Sequence, residues 1–219
     1  MNARIILADP PWYYNNRHAT RKDNPEKKAK SGIGVAERYN HGVMRTPDIK
    51  SLPIQNLVSD DAYLFMWTTW VHMAEALEVI DAWGFDYVTA AFVWVKTVGV
   101  DDKIFKGRGS YTFVNSEPVL LARRRSRRYQ HCWHSTTGYR PSQIILEPHP
   151  RDPRTGKIIH SRKPAALHEA LERWLFPHCE GYDKLELFAT QTRPGWTCVG
   201  GDVTGNDIRD DLQFLSSLA

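Results

Sequence analysis

The sequence predicts one α/β domain with a doubly wound, mostly parallel sheet, and three observations carry that expectation. Its 219 residues, 42% hydrophobic and 25% charged, suffice for one sizeable core and not for two. Six apolar runs are short, continuous and rich in β-branched or aromatic residues, without alternation of apolar and polar positions. Strands buried on both faces have this pattern. Helical periodicity lies between the runs, as it does where helices cover both sides of a sheet.

The strands, in order, are Ile5 to Ala8, Tyr63 to Trp67, Val88 to Val95, Val119 to Ala122, Ile144 to Leu146 and Leu185 to Phe188. Thr46-Pro47 opens a short turn of helix. Val71 to Trp83 places Met73, Leu77 and Ile80 on one helical face, and Gly84 ends it. A second helix starts near Pro164, with proline at the first helical position, and carries Leu167, Leu171, Trp174 and Leu175 on one face. The tail from Asp207 reads as another.

Two stretches fall outside this scheme. Residues 13–45 are polar and hold Arg17, Arg21, Lys22, Lys27, Lys28, Lys30 and Arg38 against Asp23, Glu26 and Glu37. Residues 123–140 hold Arg123, Arg124, Arg125, Arg127, Arg128 and Arg140 and no acid. Loops this long are uncommon inside a domain unless they have a function or stay disordered. With a net charge of +4, the chain is suited to a polyanionic partner without being defined by one. Eight tryptophans and nine tyrosines supply flat faces of the kind that stack on bases.

Cys132, Cys179 and Cys198 are scattered and form no C-x-x-C pair, which speaks against a disulfide framework or a zinc ribbon. His131-Cys132-Trp133-His134 fits the spacing of no common zinc site, so no metal is expected. No apolar run reaches the length of a membrane span and no leader pattern opens the chain. The expected setting is soluble, reducing and cytoplasmic, without membrane association.

The first strand runs directly into Asp9-Pro10-Pro11-Trp12. Open α/β sheets bind ligands beyond the carboxyl ends of their strands, and Asp9 stands at such an end. The Asp9 carboxylate and the Pro10 carbonyl form an acceptor pair. The prolines fix φ and lack N–H groups, so the carbonyl is expected to be held without a competing donor. Further along stand Leu64-Phe65-Met66-Trp67, Leu77 to Phe85, Val93 to Thr97, Asn115 with Glu117, His160-Ser161-Arg162-Lys163-Pro164, Lys184 to Ala189, and Arg193-Pro194-Gly195-Trp196.

In this order and combination, the segments resemble the adenine-amino methyltransferase family that includes the eukaryotic messenger-RNA adenosine methyltransferase and shorter bacterial and phage enzymes. The resemblance covers most of the chain. It implies a Rossmann-like fold in which the catalytic loop precedes the cofactor strand, with S-adenosylmethionine as the methyl donor and bacterial or phage origin. It places Asp9, Lys163, Glu186, Leu187, Phe188, Ala189, Thr190, Gly200, Gly201 and Asp202 on the cofactor side, with Lys163 meeting the carboxylate of the cofactor's methionine. Lys163 at a helix start is electrostatically awkward unless an anion is near, and Glu186 on a buried strand is costly without a partner.

The expected catalytic set is Asp9, Pro10, Pro11 and Trp12. An adenine amine is a poor nucleophile because its lone pair is delocalised. Accepting both amine hydrogens would draw the nitrogen toward tetrahedral geometry, while Trp12 offers a face for the extruded base. Trp12, Tyr13, Tyr14, Lys96 and Asn115 are the expected base-side residues. Arg17, Arg21, Lys22, Lys27, Lys28, Arg124, Arg125, Arg127 and Arg128 are expected to contact phosphates.

The sequence departs from the family where relatives carry an arginine soon after the Leu-Phe-Ala run: this chain has Thr190-Gln191-Thr192. Val199-Gly200-Gly201-Asp202 stands where relatives have an Asn-containing ribose loop, which predicts weaker cofactor affinity. DNA is favoured over RNA because the short members more usually act on it. Transfer to RNA adenine, to a cytosine amine or to a glutamine amide are the alternatives within the class, and a non-catalytic nucleic-acid-binding subunit of the same fold is the alternative outside it. Homo- or hetero-oligomerisation stays open. A nucleotide hydrolase is disfavoured because no glycine-rich loop leads into Lys-Ser/Thr.

Overall fold

The computed structural model describes residues 1–13, 42–99, 103–109, 111–126, 140–159, 162–175, 181 and 183–218. Through them run β1 (Ala3–Ala8), α1 (Thr46–Lys50), β2 (Val58–Trp67), α2 (Met73–Ala82), β3 (Phe85–Val98), β4 (Lys103–Ile104) and β5 (Ser116–Arg124). They are followed by β6 (Ile144–Pro148), α3 (Ala166–Leu175), β7 (Lys184–Leu187), β8 (Thr197–Val199), α4 (Gly201–Thr204) and α5 (Ile208–Ser217). The eight strands form one sheet in the order β4-β3-β5-β2-β1-β7-β8, with β6 alongside β3. β1, β2, β3, β6, β7 and β8 point one way, and only β4 and β5 run against them. The sheet is therefore mostly parallel, with one long reversed strand near its middle.

Two cores cover the two faces, as a doubly wound sheet requires. Ile6 and Ala8 of β1 pack with Ile49 of α1, Ala76, Val79 and Ile80 of α2 and Leu212 of α5. Ile5 and Leu7 face the other way, toward Phe65, Trp94, Leu121 and Leu167 and Leu171 of α3. Burial on both faces holds for β1, β2 and β5. It fails for the edge strand β6, where Ile144 and Leu146 are exposed, and for the start of β3, where Tyr87 and Val88 are exposed. An edge strand covered on one face follows the alternation of a half-buried strand.

The helices need small corrections. α2 turns Ala76, Val79, Ile80 and, just beyond it, Trp83 inward, while Leu77 is exposed. Ahead of α2, Trp70–His72 forms a 3₁₀ turn. Pro164 precedes α3 rather than occupying its first position, because the first helical bond is Glu169 N–H to the Ala165 carbonyl. The side chains of Trp174 and Leu175 lie outside the description. In α5, the Asp207 side chain accepts the Arg209 N–H as an N-cap.

Candidate active site

β1 leads to β2 on one side of the sheet, and the chain returns to β7 on the other. The gap between β1 and β7 is thus a topological switch point, where open α/β sheets bind ligands. Ala8 is in register with Met66 of β2 and Leu187 of β7, which sets Asp9 beside Trp67 and Phe188. A cleft open to solvent is lined here by Leu7, Asp9, Trp67, Arg162, Lys163, His168, Glu186, Phe188, Thr190 and Arg193.

Asp9 is 25% exposed, and its Oδ2 accepts from Lys163 Nζ at 2.7 Å. The same ammonium lies 3.7 Å from Glu117 Oε2 and 5.4 Å from the centroid of the Trp67 ring. Glu117 Oε1 accepts from Lys96 Nζ at 2.5 Å. Asp9, Lys163, Glu117 and Lys96 thus form an alternating chain of charge that runs from the cleft-lining Asp9 and Lys163 into the protein behind them. Burial raises the Asp9 pKa above its ordinary value, against the Lys163 ammonium, and Glu117 and Glu186 reinforce the rise. Burial acts in the same sense on Glu117, but Lys163 and Lys96 outweigh it and hold that carboxyl below the usual range. The anion that Lys163 needs at a helix start is therefore Asp9, with Glu117 behind it.

The loop Asp9-Pro10-Pro11-Trp12 is held by backbone bonds. Met44 N–H donates to the Pro11 carbonyl at 2.8 Å, and Tyr13 N–H donates to the Met44 carbonyl at 3.2 Å. The Pro10 carbonyl does have a donor: Trp12 N–H reaches it at 2.9 Å across a tight turn. That bond aims the carbonyl, leaving its second lone pair for a ligand. Trp12 itself departs from expectation. It is 6% exposed, belongs to the core cluster, and stacks on His72 at 5.7 Å and 14°. Its indole buttresses the loop and offers no open face, because the apolar ring packs under the α2 side of the sheet.

On β7 the period of two sorts the expected cofactor run. Glu186, Phe188 and Thr190 line the cleft, while Leu187 and Ala189 are buried away from it. Glu186 has the partners its burial demands: His168 Nε2 at 3.1 Å and Arg193 Nε at 3.5 Å from Oε2. Arg193 brings a guanidinium to this strand end although Thr190-Gln191-Thr192 lacks one. Phe188, at φ 60°, is the only described non-glycine residue in the left-handed region, and such strain gathers at ligand sites. Gly200, at φ 147°, passes so close that an added Cβ would lie 2.8 Å from the Ala189 nitrogen. Gly200, Gly201 and the exposed Asp202 brace or flank this corner and are not among the cleft-lining residues.

Three other expectations change. Lys96 is 7% exposed at its side chain and committed to Glu117, so it acts through that carboxylate and not on a base directly. Asn115 accepts the Lys96 N–H through its backbone carbonyl, which leaves the expectation for its side chain unaltered. Arg124 donates to the carbonyls of Trp83 and Gly84 at 3.0 and 3.2 Å, closing the end of α2, and Arg125 pairs with Asp81 and Asp86. The reason is the reversed strand: β5 starts at the cleft with Glu117 and carries Arg124 about 20 Å to the other end of the sheet. Arg124→Ala should lower stability by about 1 kcal/mol in thermal melting while leaving nucleic-acid affinity unchanged in a binding titration. Tyr14, Arg17, Arg21, Lys22, Lys27, Lys28, Arg127 and Arg128 lie outside the described residues, as do the His131–His134 stretch and His160-Ser161.

Sequence reasoning did not single out Arg162, His168, Trp67 or Arg193 as site residues, and named Glu117 only within a resembling segment. The signal for His168 was present: a histidine beside the apolar stripe of α3, facing a strand that carries a buried glutamate. Arg162 Nε and His168 Nδ1 are buried without a hydrogen-bond partner. Two unsatisfied nitrogens on residues that line one cleft suit a polar ligand.

A doubly wound sheet in which the Asp9–Trp12 loop precedes the strained strand end facing it, with a carboxylate–lysine pair at the switch point, has the architecture of a Rossmann-like methyltransferase. The chain belongs to the MT-A70 family, whose model matches residues 3–202. It is 29% identical over 214 residues to the type II methyltransferase M.MunI of Mycoplasma sp, a match spanning 96% of this chain and 82% of that protein. It is 23% identical over 209 residues to METTL3 of Homo sapiens, an N(6)-adenosine-methyltransferase catalytic subunit, and to METTL3 of Danio rerio. Those matches span 94% of this chain and 29% of each relative. No helix among the described residues is long and apolar enough to cross a membrane.

Proposed function

We propose that this protein transfers a methyl group from S-adenosylmethionine to the exocyclic amine of adenine in DNA. The observation that carries this reading is the Asp9 carboxylate at the end of the central strand, sharing one cleft with Glu186, Phe188 and Thr190 of the opposing strand end. When bound, the cofactor supplies a methyl group activated by a sulfonium centre. Glu186 and Thr190, with Arg193 and the unsatisfied nitrogens of Arg162 and His168, would hold it, and Lys163 would meet its carboxylate.

The protein's own contribution is positional. Lys163 occupies Oδ2 of Asp9, so Oδ1 is left to accept one amine N–H, and the free lone pair of the Pro10 carbonyl accepts the other. Held this way, the nitrogen points its lone pair at the methyl carbon, and orientation of two bound partners lowers a barrier by up to about 7–11 kcal/mol. An amine nitrogen that gains a methyl group must lose one proton. Asp9, its proton affinity raised by burial, receives that proton and passes it to solvent.

DNA is the favoured polymer because this chain spans most of the type II methyltransferase it resembles and under a third of METTL3. The test incubates labelled S-adenosylmethionine with matched DNA and RNA and analyses the nucleosides. Label in N6-methyladenine of DNA is expected. Label confined to RNA would reverse the choice of polymer, and label in neither would overturn the reading.

A further inference from the structure

We propose that Trp70 is the aromatic face on which a base of the substrate strand stacks at the mouth of the catalytic cleft; this rests on the function proposed above. Trp12 is buried, which leaves the base without the stacking partner the motif suggested. Trp70 is 52% exposed. It opens the 3₁₀ turn Trp70–His72 immediately beyond β2, whose last residue, Trp67, lines the cleft.

A solitary exposed tryptophan is ordinary on a protein surface. Trp70 differs in how firmly its turn is fixed to the site. On one side the His72 ring stacks on Trp12, and its Nε2 lies 3.3 Å from the Tyr13 carbonyl. On the other side the Trp70 indole N–H donates to Ser116 Oγ at 3.0 Å, next to Glu117 in sequence. The turn therefore bridges the catalytic loop and the strand that presents Glu117. With its polar atom satisfied, the indole has an exposed ring and a set orientation, so little side-chain freedom remains to be lost on binding.

The neighbouring segment has matching chemistry. Phe105 N–H donates to the Lys96 carbonyl and Lys96 N–H to the Asn115 carbonyl, both at 2.8 Å, so the loop between them is pinned at both ends to the residue that pairs with Glu117. It carries Phe113, exposed, with Lys106 Nζ 5.7 Å from its ring centroid, and Arg108. Exposed rings interleaved with cations suit a strand whose bases stack and whose phosphates are negative.

The test compares Trp70→Leu and Trp70→Phe with the wild type at saturating cofactor. Leucine keeps apolar bulk and removes the ring; phenylalanine keeps a ring. Trp70→Leu should raise KM for a DNA oligonucleotide about 5- to 100-fold, the range expected for loss of one stacked base. Cofactor affinity by calorimetry and the melting temperature should stay at wild-type values, and Trp70→Phe should recover most of the loss. Wild-type KM in Trp70→Leu would overturn the proposal, as would a defect shared with cofactor affinity or one that phenylalanine fails to relieve. If the wild type methylates no nucleic acid, the parent reading falls and takes this one with it; if only the variants behave alike, this proposal falls alone.

Discussion

Asp9→Ala lowers methyl transfer by about 10²- to 10³-fold or more, the cost of removing one preorganised hydrogen-bonding group from a reacting centre. Cofactor affinity by calorimetry should change little, since Glu186, Thr190 and Arg193 are untouched. Asp9→Asn separates charge from shape: the amide still fills the site but loses the negative charge paired with Lys163, and turnover should remain near that of alanine. Near-normal turnover in either variant would remove Asp9 from the chemistry.

The wild type should also show an acid limb in kcat above the ordinary carboxylate range, because burial raises Asp9 from its ordinary 3.8 and a protonated carboxyl has lost its charge and cannot take up the amine's proton. Stability follows the opposite sign. A carboxyl whose folded pKa is raised contributes stability below its unfolded pKa and loses it as pH rises through the folded value. Activity therefore appears over the interval in which Asp9 withdraws its contribution to folding, a trade common at functional sites.

The sequence made the positions of the strands legible because a strand buried on both faces is a continuous apolar run whichever way it points. Direction was not legible for the same reason. Val119 to Ala122 reads alike in a parallel or a reversed β5, yet reversal decides that Glu117 backs Lys163 at the cleft while Arg124 and Arg125 serve the end of α2. Charge alone could not separate those arginines from phosphate contacts, since the pairing acids Asp81 and Asp86 lie about 40 residues away. Asp9 was legible from its place after the first strand. The burial of Trp12 was not, because it depends on His72, brought across by the turn after β2. Lys163 was found by resemblance and its need for an anion by physics, but its actual partner is a contact 154 residues distant in sequence.

Glu117→Gln is expected to damage folding and catalysis together. The side chains of Lys96 and Glu117 are only 7% and 16% exposed, and removing one partner of a buried pair leaves an uncompensated charge that costs about 3–5 kcal/mol. In a domain of this size that corresponds to a fall of roughly 10 °C in melting temperature. The loss should be largest near neutral pH: Glu117 is held below its ordinary value, so its contribution is present above the unfolded pKa of 4.5 and fades as pH falls through the lowered one. A second change separates the two effects. Lys96→Met with Glu117→Gln removes both charges of the pair, and replacing a buried pair by neutral groups is often close to neutral for stability. The double variant should melt near the wild type. It should still transfer methyl groups roughly tenfold more slowly, the order of effect seen when an outer partner of a reacting group is lost, because Lys163, without Glu117, draws more strongly on the Asp9 carboxylate that the amine must use. Recovery of both stability and rate would mean that Glu117 serves only to neutralise Lys96; recovery of stability alone makes it a positioning residue acting through Lys163.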